Sequence, residues 1–325
     1  MKIFISRDIP IIGIELLRNE GHDVTVYQVD RPLTQPELIE QAKHHDALMC
    51  MFSDKIDKVF LNECKHLKVI AQYAVGYDNI DIAEATRLRI PVGITPDVLS
   101  EATADVAFLL MLAASRKAFH LHKTIGQGEW TFFRPKANLG IELKNKTLGI
   151  FGLGRIGGEM AKRCRGAYHM NILYCNRSRN PAAEELLQAR KVEFDELLAQ
   201  SDVVSVHCSL NEATKGIFDK SAFYQMKRTA LFINTARGSI HNEKDLIDAL
   251  NERVLWGAGL DVSDPEPMRP HNPLLSMENV AVLPHIGSAT VEARNAMARL
   301  SAENILFGLQ GVRFPNMVNP EIYNR

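Results

Sequence analysis

Three segments in the second half of the chain end in side chains that together could handle an anion and a proton. They are Asn234-Thr235-Ala236-Arg237-Gly238, Asp261-Val262-Ser263-Asp264-Pro265-Glu266-Pro267 and Leu283-Pro284-His285-Ile286-Gly287. Each follows an apolar run of strand character, and parallel α/β sheets bind ligands beyond the carboxyl ends of their strands. Arg237 offers a planar, permanently charged fork suited to the carboxylate of a 2-oxo acid. His285 has an ordinary pKa of about 6.5, close to physiological pH, so it suits an acid and base. Glu266 could hold the imidazole and stabilise its protonated form. Reduction of a ketone by a dinucleotide needs a cation, a proton donor and the cofactor's own reactive carbon. Taken singly, each residue also has a structural reading: eleven histidines are present, and an arginine at a helix end is often an ion pair. Their joint placement, in order and downstream of a dinucleotide fingerprint, favours the functional one.

That fingerprint is Gly152-Leu153-Gly154-Arg155-Ile156-Gly157, entered from the apolar run 146–151 and followed by a helical pattern over 159–165. Gly152 permits a tight turn, Gly154 lets a pyrophosphate approach the backbone, and Gly157 lets the helix pack closely on the strand. The competing reading is a glycine-rich turn with no ligand. An NAD site would carry an acidic residue some 20 residues further on, for the ribose 2′-OH; this chain has Asn176-Arg177-Ser178-Arg179 there. Asn176 removes a charge that would repel a 2′-phosphate, and Arg177 and Arg179 could bind one bidentately. NADP is therefore expected, with NAD still possible, unless the arginines are ordinary solvated surface residues.

The elements that must position these groups form two βα series. Apolar runs at 2–6, 23–27, 47–52, 68–74 and 91–94 alternate with amphipathic segments and predict crossover units on a parallel sheet. Ser100 could cap a long helix reaching about Lys123, because no Gly or Pro interrupts it. A second series at 146–151, 171–175, 203–208, 230–234, 257–261 and 280–283 gives the six strands of a complete Rossmann sheet. A helix over 289–309 follows, and the short remainder is expected to return to the first domain. The fold class is thus α/β with two doubly wound parallel-sheet domains. A dinucleotide-binding Rossmann domain (100–289) is inserted into a flavodoxin-like substrate domain (1–99 and 290–325), with the catalytic cleft expected between them.

Composition agrees with a globular α/β protein: 46% of the 325 residues are hydrophobic and 24% charged. With 38 basic against 39 acidic residues, there is no basic field to hold nucleic acid. The five cysteines at 50, 64, 164, 175 and 208 are scattered without a C-x-x-C pair, which argues against a disulfide framework and against a metal site. No apolar run is long enough to span a membrane, and no export signal is visible. A cytoplasmic location is expected.

At these residues the chain resembles the D-isomer-specific 2-hydroxyacid dehydrogenase family, and within it the glyoxylate and hydroxypyruvate reductases. The resemblance spans nearly the whole chain. Its blocks are Ala74 to Asp81, Glu101 to Asp105, Gly152 to Gly157, Asn234 to Gly238, Gly257 to Asp261, and Leu283 to Thr290. It implies that Arg237 binds and polarises the substrate, Glu266 orients His285, and His285 gives the proton. Val75 and Gly76 would offer backbone amides to the substrate carboxylate, with Ser288 also in the substrate site. Asp261 would meet the nicotinamide carboxamide, and Thr103, Arg155, Ile156, Ser209, Thr235 and Gly287 would contact the dinucleotide. A homodimer built on the long helix and the arm around Trp130 is implied too.

Other readings stay open. The same clamp would serve 2-ketogluconate or another longer 2-oxo acid, with a pocket near Leu99, Trp130 and Phe133 discriminating. A D-lactate dehydrogenase fits the NADP signal badly, and phosphoglycerate dehydrogenases often carry a regulatory domain for which this chain has no room. From a different class, the family resembles NAD(H)-sensing transcriptional corepressors, which usually carry disordered tails and bind NAD.

Overall fold

The computed structural model describes residues 1–324. The chain divides into two compact units: Met1–Leu99 together with Ser288–Arg325, and Ser100–Gly287. In the first, β1 (Lys2–Ile5), β2 (Asp23–Val26), β3 (Ala47–Cys50), β4 (Val69–Gln72) and β5 (Val92–Gly93) form a parallel sheet of order β2-β1-β3-β4-β5. This is the flavodoxin-like winding. Residues of β3 and β4 are buried on both faces, which is why they read as continuous apolar runs and not as alternation. The helix Val291–Leu309, capped by the Thr290 side chain, lies on this sheet: a Cβ on Gly308 would sit 2.4 Å from Val69, and one on Gly13 2.7 Å from Ala298. Residues beyond it run back along β5, where Val318 N–H donates to Val92 and the Asn319 carboxamide accepts from Val92 N–H at 2.9 Å.

The second unit holds β6 (Thr147–Phe151), β7 (Asn171–Cys175), β8 (Arg190–Lys191), β9 (Val203–Val206), β10 (Leu231–Asn234), β11 (Gly257–Leu260) and β12 (Val280–Val282) in the order β12-β11-β10-β9-β6-β7-β8. All neighbours are parallel. The order reverses between β9 and β6, the switch point at which a doubly wound sheet binds its ligand. Separate apolar clusters cover its two faces, one around Leu110, Met111, Leu148 and Ile150, the other around Phe218, Phe223 and Phe232.

Two expectations need correction. The sheet has a seventh strand, β8, at its edge beside Leu173 and Tyr174; two charged residues carry no hydrophobic period to announce it. The helix from Ser100 ends at Ser115, and a second runs Ala118–Gly126. Lys117 between them is left-handed (φ 56°), a turn that neither glycine nor proline signals in the sequence.

Candidate active site

The glycine loop is built by close approach. Gly152 takes φ +99°, and a Cβ there would lie 2.5 Å from the Cys208 amide nitrogen, so only glycine fits between β6 and the end of β9. A Cβ on Gly157 would strike the Gly152 carbonyl at 2.6 Å, whereas one on Gly154 would meet nothing within 4 Å. Gly154 is the N-cap, without a side-chain cap, of the 14-residue helix Arg155–Tyr168, so open space lies beside the start of that helix. A helix start with unsatisfied N–H groups and positive dipole suits a pyrophosphate, and the loop fits a dinucleotide.

The segment after β7 is tied to this loop. Asn176 accepts from Leu153 N–H at 2.7 Å and donates to Leu153 C=O at 3.2 Å. Only a carboxamide can do both; an aspartate has no proton to donate. Asn180 also donates to Leu153 C=O, at 3.1 Å. Arg177 and Ser178 are exposed, while Arg179 pairs with Glu184. Asn176, expected from sequence as a cofactor contact, also braces the glycine loop, a role that its amide chemistry could have suggested but its distance from Leu153 in the sequence concealed.

Arg237 leaves β10 in extended conformation and starts a short 3-10 turn, Gly238–Ile240. Asn234 fixes this corner: it accepts from Ala236 N–H at 2.9 Å and donates to Arg237 C=O at 2.9 Å. The same amide lies 3.1 Å from Nδ1 of buried His241, whose ring burial pushes it down to about 4. Gly238 presses on the segment after β11, where a Cβ would come within 2.1 Å of the Ser263 carbonyl. The Arg237 corner and the Glu266 segment are therefore packed backbone to backbone.

His285 follows β12 with φ 55°, an uncommon conformation for a residue with a Cβ. Buried Asp261 at the end of β11 holds the next two residues, its Oδ1 accepting from Ile286 N–H at 2.8 Å and its Oδ2 from Gly287 N–H at 2.7 Å. Burial pushes Asp261 above the usual carboxylate range, and the two amides oppose that. Nδ1 of His285 bonds to Glu266 Oε1, with both side chains about a quarter exposed. Glu266 lies between the Asp264-Pro265 and Glu266-Pro267 peptide bonds, both cis.

Around Gly287 the expected cofactor residues converge, since a Cβ there would lie 3.1 Å from Asp261 Oδ2 and 3.1 Å from Thr103 Cγ2. Thr235 Oγ1 is 3.4 Å from Nδ1 of His207, whose Nε2 is 2.8 Å from Ser205 Oγ. Burial of that ring pushes His207 down to about 3 and keeps it neutral. Arg155 and Ile156 open the Arg155–Tyr168 helix, and Ser209 is exposed on the turn after β9. Val75, Gly76 and Ser288 belong to the first unit. There Gln72 donates to Gly76 C=O at 3.1 Å and to Asn79 at 2.8 Å, and Asn79 reaches Met51 and Asp54 carbonyls, so the turn carrying Val75 and Gly76 is braced from below. Sequence reasoning did not single out Asn234, His207, His241, Gln72 or Asn79. None of them is periodic, and each acts through the backbone of another segment. Among the described residues no cluster of His, Cys, Asp or Glu is arranged for a metal ion, and no helix is long and apolar enough to cross a membrane.

Residues 108–287 match the model for the D-isomer specific 2-hydroxyacid dehydrogenase NAD binding domain. A glyoxylate reductase of Thermococcus litoralis is 42% identical over 325 residues, covering 99% of this chain and 97% of its own. The crystal structure of a glyoxylate reductase from Paecilomyes thermophila superposes with a TM-score of 0.86 at 34% identity, covering 98% of both chains. A further similar structure is an NADPH-dependent glyoxylate/hydroxypyruvate reductase from Sinorhizobium meliloti in complex with NADP and malonate, with a TM-score of 0.86 and 28% identity over 100% of this chain and 98% of that one. On the strength of the matched domain and of relatives alike along nearly their whole length, the chain belongs to the D-isomer specific 2-hydroxyacid dehydrogenase family.

Proposed function

We propose that the protein reduces glyoxylate and hydroxypyruvate to glycolate and D-glycerate with NADPH, through Arg237, Glu266 and His285. The observation that carries this reading is the His285–Glu266 pair on a loop gripped by Asp261, beside a corner that presents Arg237. When bound, the nicotinamide supplies the hydride that reduces the carbonyl. Arg237 holds the 2-oxo carboxylate in its fork and draws electron density from the carbonyl. With Nδ1 engaged by Glu266, Nε2 of His285 gives the proton to the carbonyl oxygen and takes it back in the reverse direction. Val75 and Gly76 amides and Ser288, in the first unit, are assigned to the substrate, which makes that unit the substrate domain. Thr103, Gly152, Gly154, Arg155, Ile156, Gly157, Asn176, Arg177, Ser178, Arg179, Ser209, Thr235, Asp261 and Gly287, in the second, are assigned to the dinucleotide.

NADP is preferred over NAD in this reading because β7 ends without a carboxylate and Arg177 stands exposed beside the glycine loop. The relatives named glyoxylate reductase and the similar enzyme solved with NADP support the substrate and the cofactor respectively. Loss of NADPH and NADH absorbance with glyoxylate, hydroxypyruvate, pyruvate and 2-ketogluconate, compared as kcat/KM at one pH, tests both parts. NADPH with glyoxylate or hydroxypyruvate should give the largest value. A larger value for 2-ketogluconate would replace the substrate assignment, and a preference for NADH would overturn the cofactor assignment.

A further inference from the structure

The two arginines after β7 are in different electrostatic states. Arg177 is exposed and forms no ion pair among the described residues. Arg179 turns back onto Glu184, donating through Nη2 and, at 3.2 Å, through Nε. Glu184 lies in the first turn of the helix Pro181–Leu187 and is anchored from below, because Tyr174 donates its hydroxyl to the same carboxylate. The Tyr174 oxygen in turn accepts from Asn180 N–H at 2.9 Å. The Glu184 side chain is 15% exposed against 72% for Arg179, so the carboxylate is the fixed partner and the guanidinium the movable one. The Arg179 guanidinium, and next the Tyr174 hydroxyl, hold Glu184 down to about 2, and it stays anionic throughout the working pH range.

A 2′-phosphate reaching this segment therefore meets one uncompensated cation and one already neutralised by an anchored anion. We propose that Glu184 is a specificity-determining residue that limits the preference for NADPH over NADH by competing with the 2′-phosphate for Arg179. This rests on the reading of 176–179 as the 2′-recognition segment. The native preference then comes chiefly from Arg177, with Arg179 held in reserve.

The test is calorimetric titration of the full-length protein with 2′,5′-ADP and with 5′-AMP, which differ only in the 2′-phosphate, backed by kcat/KM for NADPH and NADH. Glu184→Gln keeps an acceptor for Tyr174 but removes the charge. It should tighten 2′,5′-ADP about threefold to tenfold, the scale of a released exposed ion pair, and leave 5′-AMP within about twofold. Arg179→Ala alone should cost 2′,5′-ADP less than about threefold, yet in the Glu184→Gln background it should abolish the gain. Unchanged or weakened 2′,5′-ADP binding by Glu184→Gln, or a gain that survives Arg179→Ala, would overturn the proposal. If Glu184→Gln loosens the segment enough to weaken 5′-AMP as well, the single Arg179→Ala variant decides: a large loss of 2′,5′-ADP affinity shows that Arg179 was available all along and overturns it. The broader cofactor reading fails by a different sign, namely 2′,5′-ADP binding no tighter than 5′-AMP in the unaltered protein together with a silent Arg177→Ala.

Discussion

His285 is the side chain on which the proposed proton transfer depends, and its position is bought with a left-handed backbone (φ 55°) that costs about 1–2 kcal/mol in a residue with a Cβ. Asp261, by accepting from the next two amides, fixes the direction in which the imidazole leaves the chain. Replacing His285 by Asn should lower kcat about 10²- to 10⁴-fold, with dinucleotide affinity retained in a fluorescence titration. Asp261→Asn, which cannot accept on both sides, should lower kcat and thermal stability together; an unaltered kcat would remove Asp261 from the mechanism. Buried His241 and partly buried His207 set a separate pH dependence of stability. His241 is pushed to about 4 by burial, against the pull of Asp264, and His207 to about 3, both from an unfolded value near 6.5. Their neutral forms favour the fold above pH 6.5, and below it the unfolded chain binds protons that the folded one refuses. Stability should therefore fall as pH drops from about 6.5 to 4, by roughly 1.4 kcal/mol per unit for each ring. Urea midpoints between pH 7 and 4.5 measure this, and His241→Asn should flatten the slope by about one ring's share. An identical slope in the variant would refute the assignment.

At the level of elements, two glycines make opposite predictions. Gly238→Ala drives a methyl into the Ser263 carbonyl at 2.1 Å, so it should separate the Arg237 corner from the Glu266 segment, lowering both melting temperature and activity by a cost of about 1–3 kcal/mol or more. Gly154→Ala places its methyl in open space; the melting temperature should hold while affinity for the dinucleotide falls, because the methyl occupies the approach to the helix amides. If Gly154→Ala binds as tightly as the unaltered chain, the pyrophosphate lies elsewhere. Strands were legible in the sequence wherever they were buried on both faces, as in β3, β4, β9 and β10. Those faces favour short, mostly apolar runs without the polar alternation of a half-exposed strand. What escaped was made of polar pairs and local dihedrals. The Asn176 clamp joins residues 23 positions apart, Arg179 pairs with Glu184, and Lys117 breaks a helix by a left-handed turn. No hydrophobic periodicity records any of these, since each is set by side-chain pairing or by a single backbone dihedral.

Over the molecule as a whole, the second unit exposes an unusual run of apolar side chains: Ile125 at 56%, Trp130 at 72%, Phe132 at 63%, Phe133 at 82% and Leu139 at 63%. Exposed apolar side chains concentrated in one segment point to a partner surface, and we propose a second copy of the chain, as the family resemblance implies. Sedimentation should accordingly give twice the monomer mass, and replacing Trp130 and Phe133 by Ser should yield a monomer; a monomeric unaltered chain would end the dimer reading. The division into units, with the second contiguous and the first interrupted by it, also orders the birth of the molecule. Domains fold as they emerge from synthesis, N-terminal material first, yet here the rule is inverted. The sheet of β1 to β5 is made early, but the helix Val291–Leu309, which packs closely on Gly13 and, through its own Gly308, on Val69, is translated only after the whole of Ser100–Gly287. The inserted unit can close its seven strands while its host still exposes the apolar face that this helix will cover, so the host, although begun first, is the last to mature and the more exposed to chaperones and proteases on the way.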